Sequence, residues 1–481
     1  MQKFFFMFLL TVVQLSAEPI RQHPENPRYF EYRGEAMVLV TSAEHYAAVI
    51  NMDFDYERYL NTLQELGLNH TRIFLGDYAE EPNAFCIETN PLAPDTNRLI
   101  TPWARSSEPG YRLGGNKFDL ETWNPDYFQR LHAFMQLAEG YDIIVEAVLF
   151  FAGYQYVNSP LLPINNINAT SELAESWQYT SLENGSILEY QEQYARRLVR
   201  ELNRYDNLIL NVCNEPWFSA QAHPGFSSPP RQEVKKWIQR VSEWIKNTES
   251  DLPNQHLISV DYTNKGERIP KDELNSYFKH ITVFNHHYDR DAESISFNRD
   301  YRDLIFSFNE TGLMPAITPQ YRIQGWKYLF CGGALYNNLD YTYQVGAEDG
   351  SGFTVFTCDG YSGCTDQSVK YQLAALLRFM NTLPLERMRF DPTVIQLPEG
   401  DDQVFVLVSP GERYALYFTG CGTPKIKLAL PAGEYNVEWL NPADLRQIWT
   451  RRIRVTGGGS EFIGPGYDGD MLLDVRRVDA D

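Results

Sequence analysis

The chain has 481 residues, with 42 basic against 63 acidic side chains, and its formal net charge of −21 disfavours nucleic acids and anionic membranes as partners. A neutral glycan is not penalised by that field. A hydrophobic share of 43% and a charged share of 22% are those of a soluble globular chain with a large core, and the 14% of aromatic residues is high enough to supply sugar-stacking faces as well as core.

Residues 1–17 read as a secretory signal. Lys3 gives the positive start, residues 4–13 the apolar run, and Leu15-Ser-Ala17 a cleavage motif. The run is too short to span a bilayer and no later segment is long enough, so the expectation is a secreted or periplasmic protein with no membrane span.

From about residue 35 to 383, strand-like runs alternate with amphipathic helical patterns. Residues 37–40 form a first strand. Tyr56, Leu60, Leu63 and Leu66 then recur at helical spacing up to Gly67. A second strand covers 71–75, and Phe128, Leu131, Met135 and Ala138 mark a helix ending at Gly140. Residues 143–151 make strand three, 188–202 a helix, and Leu208-Ile-Leu-Asn-Val-Cys213 strand four, ending in Asn214-Glu215-Pro216. Val234, Trp237, Ile238, Val241, Trp244 and Ile245 line a helix of which both tryptophans are core. Strands five to eight fall at 256–262, 281–288, 304–310 and 332–339, and Val369, Leu373, Leu376 and Met380 line the closing helix. Eight such alternations predict an α/β (β/α)8 barrel over residues 18–388. Two polar insertions, 77–124 and 153–186, follow strands two and three and so should wall a cleft on the barrel's active face. Short strands between Gly/Pro turns over 389–481 predict a small C-terminal antiparallel β-sandwich packed on the barrel.

Glu215 and Glu310 end two predicted buried strands, the placement that a double-displacement sugar cleavage needs of its acid/base and nucleophile. Trp217 beside Glu215 is a candidate stacking platform, and His45, at the end of strand one, a candidate sugar contact. Of six cysteines, Cys358 and Cys364 are the candidate disulfide, their loop eased by two glycines, while Cys213 and Cys331 sit in apolar runs as buried thiols. No Cys/His cluster has zinc spacing and no Gly-rich phosphate loop appears, so no cofactor or metal is expected.

These motifs resemble the clan A glycoside hydrolases, the cellulase-like (family 5-like) TIM barrels, over strands two to eight. The resemblance implies that Asn214 holds a sugar hydroxyl, Glu215 is the acid/base, and Glu310 in Phe308-Asn-Glu-Thr-Gly312 is the nucleophile. It further implies that Arg72 contacts the nucleophile and that His286 and Tyr288 form the strand-six pair beside it, with His287 facing away because neighbours on a strand alternate. Where many clan members carry a strand-eight tryptophan this chain has none, and Tyr336 or Asn338 is the expected substitute. The expectation is a retaining hydrolase of β-linked neutral glycans, acting internally on a polysaccharide. The alternatives are an exo-acting β-glycosidase and a non-catalytic glycan-binding protein on a degenerate barrel. A metal-dependent hydrolase lacks a convincing ligand cluster.

Overall fold

The computed structural model describes residues 18–44, 46–87, 90–152, 154–217, 231–263, 266–289, 291–311, 318–356, 363–364, 366–396 and 403–478. Its centre is one parallel sheet of eight strands: β1 Leu39–Ala43, β2 His70–Phe74, β3 Ile144–Phe151, β4 Leu208–Asn214, β5 Leu257–Thr263, β6 Val283–His287, β7 Ile305–Thr311 and β8 Leu335–Leu339. The hydrogen-bonded order β1-β8-β7-β6-β5-β4-β3-β2 runs once around a ring, which makes the sheet a (β/α)8 barrel. β1 and β2 are not joined by a ladder. The side-chain amide of Asn69 spans that seam instead, accepting from the Val40 N–H at 2.9 Å and donating to the Val38 carbonyl at 2.9 Å.

The helices follow local signals. Tyr56–Leu66 starts where Asp55 accepts from the Arg58 N–H and stops at Gly67, whose φ of +73° is the left-handed cap that glycine takes without strain. Pro125–Gly140 begins with Asn124 as cap and proline in the first turn. Ile187–Leu202 and Gln232–Glu249 lie side by side, joined by Trp237 Nε1 donating to Gln191 at 3.0 Å, and Trp237 and Trp244 are core. After β5 and β6 the crossover helices shrink to Lys271–Ser276 and Glu293–Phe297.

The first barrel strand differs from expectation. Met37 belongs to a small antiparallel sheet of Arg21–Gln22, Phe30–Tyr32 and Glu35–Met37, and the first barrel strand starts two residues later. Val38-Leu-Val is continuously apolar there, so periodicity alone has no mark at which to cut it.

The C-terminal part is two antiparallel sheets, one of six strands and one of three, closed over a core that includes Val406, Leu416, Phe418, Leu428, Val437, Trp439 and Leu473. The strand Gly458–Ile463 has no strand-like pattern at its start, because two glycines open it. The sandwich is fixed to the barrel by Asp470, which takes two bonds from Arg322 at 2.8 and 2.7 Å and one from Tyr417 at 2.8 Å, under a Trp326–Tyr417 stack. Cys213 and Cys331 are buried free thiols. Cys358 and the side chain of Cys364 lie outside the described residues. Among the described residues no helix is long and apolar enough to cross a membrane.

Candidate active site

The barrel interior below its C-terminal rim is polar and charged. Glu146 on β3 accepts from Asn211 at 2.9 Å, Ser259 at 2.6 Å, Asn285 at 2.6 Å and Asn309 at 3.1 Å. Asp261 on β5 accepts from the same three asparagines on its Oδ1, at 2.9, 2.9 and 3.2 Å. These groups point inward from alternate positions of their strands, and each buried carboxylate is surrounded by donors.

Above this layer lies Arg72. Its guanidinium donates to Glu310 Oε2 at 2.9 Å, Asn214 Oδ1 at 2.6 Å and Asp261 Oδ2 at 2.7 Å, with Glu146 Oε2 at 3.9 Å from Nε. The Tyr288 hydroxyl donates to the other oxygen of Glu310 at 2.8 Å. A guanidinium on one oxygen and a phenol on the other orient Glu310 and favour its carboxylate form. Burial, with the charges of Glu310 and Glu215 adding to it, raises the Tyr288 phenol well above its ordinary value, so it stays a donor.

Glu215 stands opposite. Its backbone is left-handed at φ +46°, directly after β4 and before Pro216, a conformation uncommon for a residue with a Cβ and a frequent mark of functional sites. Its carboxyl receives His287 Nδ1 at 2.8 Å. One oxygen of each glutamate and a ring nitrogen of His287 all lie within 4.8 Å of one another. Burial and the Glu310 charge outweigh the His287 bond and push the Glu215 carboxyl up to about 7. Glu215 and Glu310 keep 8% and 7% exposure while Arg72, Asp261 and His287 keep none, so of these five only the glutamates can meet a substrate.

Strand six corrects the sequence reading. Asn285 and His287 share the inward face, and His286 points outward between the rings of Tyr262 and Phe306, where burial pushes it down to about 3. The structure therefore brings His287, and not His286, to the two glutamates. Alternation holds along the strand as far as His287, but Tyr288 does not share it. That residue has left the strand with φ +54°, which brings its hydroxyl back over Glu310. A second irregularity sits on β7. Against β6, Asn285 pairs Ser307 and His287 pairs Glu310, so β7 carries one extra residue, and this bulge turns Glu310 toward the centre.

Three other expected contacts fall elsewhere. Trp217 is buried with its edge-to-face partner His287 at 5.2 Å, so it backs the imidazole and offers no open face. Tyr336 faces the helix Thr318–Phe330, its hydroxyl donating to the Tyr321 carbonyl at 2.9 Å. Asn338 is held by Ser42, which in turn donates to Asp340. Both left the site because strand-eight alternation places positions 336 and 338 on the outer face of the barrel. His45 lies outside the described residues. Its neighbour Glu44 is a cap: its oxygens accept from the N–H groups of Tyr46, Ala47 and Ala48.

The two insertions are bound to each other as well as to the rim. Asp77 accepts from the Phe151 N–H at 3.2 Å, from Ser159 at 2.6 Å and from Tyr179. Burial pushes Asp77 up to about 7 despite those donors. The rings of Tyr78, Phe74 and Phe151 pack on one another in tilted and edge-to-face pairs. Glu80, held by Asn90 and Tyr78, is pushed up to about 8 by burial, with the charges of Glu44 and Glu310 contributing.

Two carboxylates and an imidazole are ligand types for a divalent cation, but this imidazole fits that role poorly. Nδ1 lies 2.8 Å from Glu215 and Nε2 3.2 Å from Asp261, and the carboxylates of Glu310 and Asp261 push the ring up to about 10 against burial, so it stays protonated and neither nitrogen offers a lone pair.

No protein-family model and no curated protein sequence matches the chain. Solved structures do resemble it. A family 5 glycoside hydrolase from Bacteroides vulgatus superimposes with a TM-score of 0.62 at 11% identity, covering 95% of this chain and 93% of its own. A candidate glycoside hydrolase from the same organism gives 0.64 at 14% identity, with 96% and 83% covered. A third structure, described as a glycoside hydrolase, gives 0.61 at 12% identity, with 96% and 98% covered. The chain thus has the fold that these proteins share, a TIM barrel followed by a C-terminal β domain.

Proposed function

We propose that this protein is a glycoside hydrolase that cleaves β-linked neutral glycans with net retention. The observation that carries the reading is the pair of nearly buried carboxyls at the ends of β4 and β7, with one oxygen of each inside 4.8 Å of the other. Retaining enzymes hold their two carboxyls about 5–5.5 Å apart, whereas inverting ones leave room for a water between them. The pair is also electrostatically divided. Glu310 lies under Arg72 and Tyr288 as an anion, and Glu215, raised to about 7, is able to hold a proton near neutrality.

In the first step Glu310 attacks the anomeric carbon as the Glu215 proton passes to the glycosidic oxygen, which departs with the bonding electrons. In the second, Glu215 takes a proton from water, the water oxygen bonds the anomeric carbon, and Glu310 is released. The net charge of −21 supports a neutral sugar. Internal attack on a polymer is the mode proposed, although Tyr78, Trp103 and Tyr111 are buried and offer no sugar face. The aromatics of the two insertions that support this mode are the half-buried Trp123, Tyr156 and Trp177, and the side chain of Tyr154 lies outside the described residues. Export is proposed from residues 1–17, and a mature protein beginning at Glu18 is the outcome expected of N-terminal sequencing.

The test is hydrolysis of a glycan panel with product sizing and anomer detection. Glu310→Gln is expected to lower kcat by roughly 10,000-fold or more. Glu215→Gln is expected to lower it roughly 100- to 10,000-fold on poor leaving groups, and much less on activated aryl glycosides. Near-normal turnover in either variant removes the assignment. First-formed product of inverted configuration removes retention, and monosaccharide as sole product removes internal attack.

A further inference from the structure

Strand five offered no candidate from sequence, yet its Asp261 stands directly behind both glutamates. Arg72 Nη2 at 2.7 Å and the backbone N–H of Glu215 at 3.3 Å donate to Oδ2, and His287 Nε2 makes an ion-pair contact with it at 3.2 Å. Three asparagines hold Oδ1. One arm of this hub runs through Arg72 to Glu310 Oε2 at 2.9 Å, and the other through His287 to Glu215 Oε1 at 2.8 Å. Asp261 is wholly buried and touches neither solvent nor any position a sugar could take.

We propose that Asp261 is a positioning residue for both halves of the reaction, holding Arg72 on the nucleophile and keeping His287 as an imidazolium against the acid/base. This rests on the roles given above to Glu215 and Glu310. The Nδ1–H of His287 occupies Glu215 Oε1, so the proton that Glu215 transfers resides on Oε2, the oxygen left to face a leaving group. A neutral His287 would compete for that proton, and the carboxylate on Nε2 removes the competition. After Glu310 has become an ester its charge is gone, but that of Asp261 remains. His287 therefore stays charged and favours the ionised form of Glu215 when it must accept a proton from water. His287 and Asp261 exchange no proton in either step.

The groups facing His287 are Glu215 from β4, Asp261 from β5, Glu310 from β7 at 3.7 Å, and Trp217 and Tyr288 by their rings, with the Arg72 cation beyond Asp261 and His286 next in the chain. Burial opposes the charged ring, but Glu310 and Asp261 overcome it and push His287 up to about 10. Burial also opposes ionisation of Asp261, yet Arg72 and His287 hold it far below the usual carboxylate range.

The experiment compares the full-length wild type with Asp261→Asn and His287→Asn by ring-nitrogen NMR and by the pH dependence of kcat/KM on an aryl glycoside with a poor leaving group. In wild type the His287 ring is expected to stay doubly protonated from pH 6 to 9, and in Asp261→Asn to become neutral within that range. Both variants are expected to move the basic limb upward by about one pH unit, because Glu215 loses the cation bonded to it and that loss outweighs the removal of the more distant Asp261 charge. On an activated aryl glycoside, kcat should fall at least tenfold as release of the glycosyl-enzyme becomes limiting. A neutral wild-type His287 at pH 7.5, or coincident basic limbs in all three proteins, overturns the proposal. The NMR arm decides the Asp261–His287 coupling even where no glycoside is turned over, a result that counts against the glycosidase reading alone. If Asp261→Asn does not fold, His287→Asn carries the same basic-limb shift.

Discussion

The barrel and the sandwich bury strands of similar length around opposite interiors. Between the sandwich sheets the packing is apolar, with Leu416, Phe418, Leu428, Val437 and Trp439 in contact and no charged side chain among them. Inside the barrel rim, Arg72, Glu146, Asp261, Glu310 and His287 meet, framed by asparagines and a serine. Burying ions costs several kcal/mol each before pairing returns it, and apolar residues of the same volume are often as stable. The sandwich has the packing expected of an element selected for stability. The barrel carries charges in a place where stability alone gives no reason for them. The difference teaches that the position of a function is visible as a departure from the cheaper interior.

Arg72→Met should break this contrast hardest. It strands Asp261, Glu310 and Glu146 close together without their cation, with a loss of about 3–5 kcal/mol by chemical denaturation and loss of activity even in the molecules that remain folded. Leu428→Ala in the sandwich should cost about 2–5 kcal/mol and leave kcat per folded molecule unchanged. If Leu428→Ala lowered kcat as much as Arg72→Met, the division of labour between the two interiors would be wrong. At the seam, Arg322→Met leaves Asp470 with Tyr417 alone and should cost about 1–3 kcal/mol. Calorimetry would then resolve the sandwich transition from that of the barrel.

The smallest effects are in pH. With Glu215 raised to about 7, kcat/KM should decline roughly tenfold per pH unit above that value. The same raised carboxyl binds its proton more tightly folded than unfolded. Its contribution to stability is therefore complete below the unfolded value near 4.3, and is lost as pH rises through about 7. Glu215→Gln should flatten the fall in Tm between pH 5 and 8, and an unchanged slope would place the titrating group elsewhere.

The strand ends carrying Asn214-Glu215 and Glu310 were legible because an apolar run that stops on a carboxylate is conspicuous. The helix stop at Gly67 was equally plain. The identity of the inward histidine was not, since one bulged residue on β7 and a left-handed Tyr288 decide which of two neighbours faces the centre. Asp261 in Leu257-Ile-Ser-Val-Asp-Tyr-Thr263 was passed over for a simpler reason. A charge within a buried run is itself the signal, but its partners come from four other strands and appear only when the ring closes. Tyr336 and Asn338 were misplaced because the residue expected at that spot was sought by chain position rather than by face.

Asp77 joins the loop after β2 to the loop after β3 by bonding Ser159, Tyr179 and the Phe151 amide at once. The two insertions are further laced by the Phe118 amide on the Asn165 carbonyl and the Ile167 amide on the Phe118 carbonyl. For anyone redesigning selectivity, they are one transplantable module. A graft that exchanges either insertion alone leaves a carboxylate without its hydroxyls, or the hydroxyls without their acceptor, and should yield insoluble chains where the paired exchange yields soluble ones.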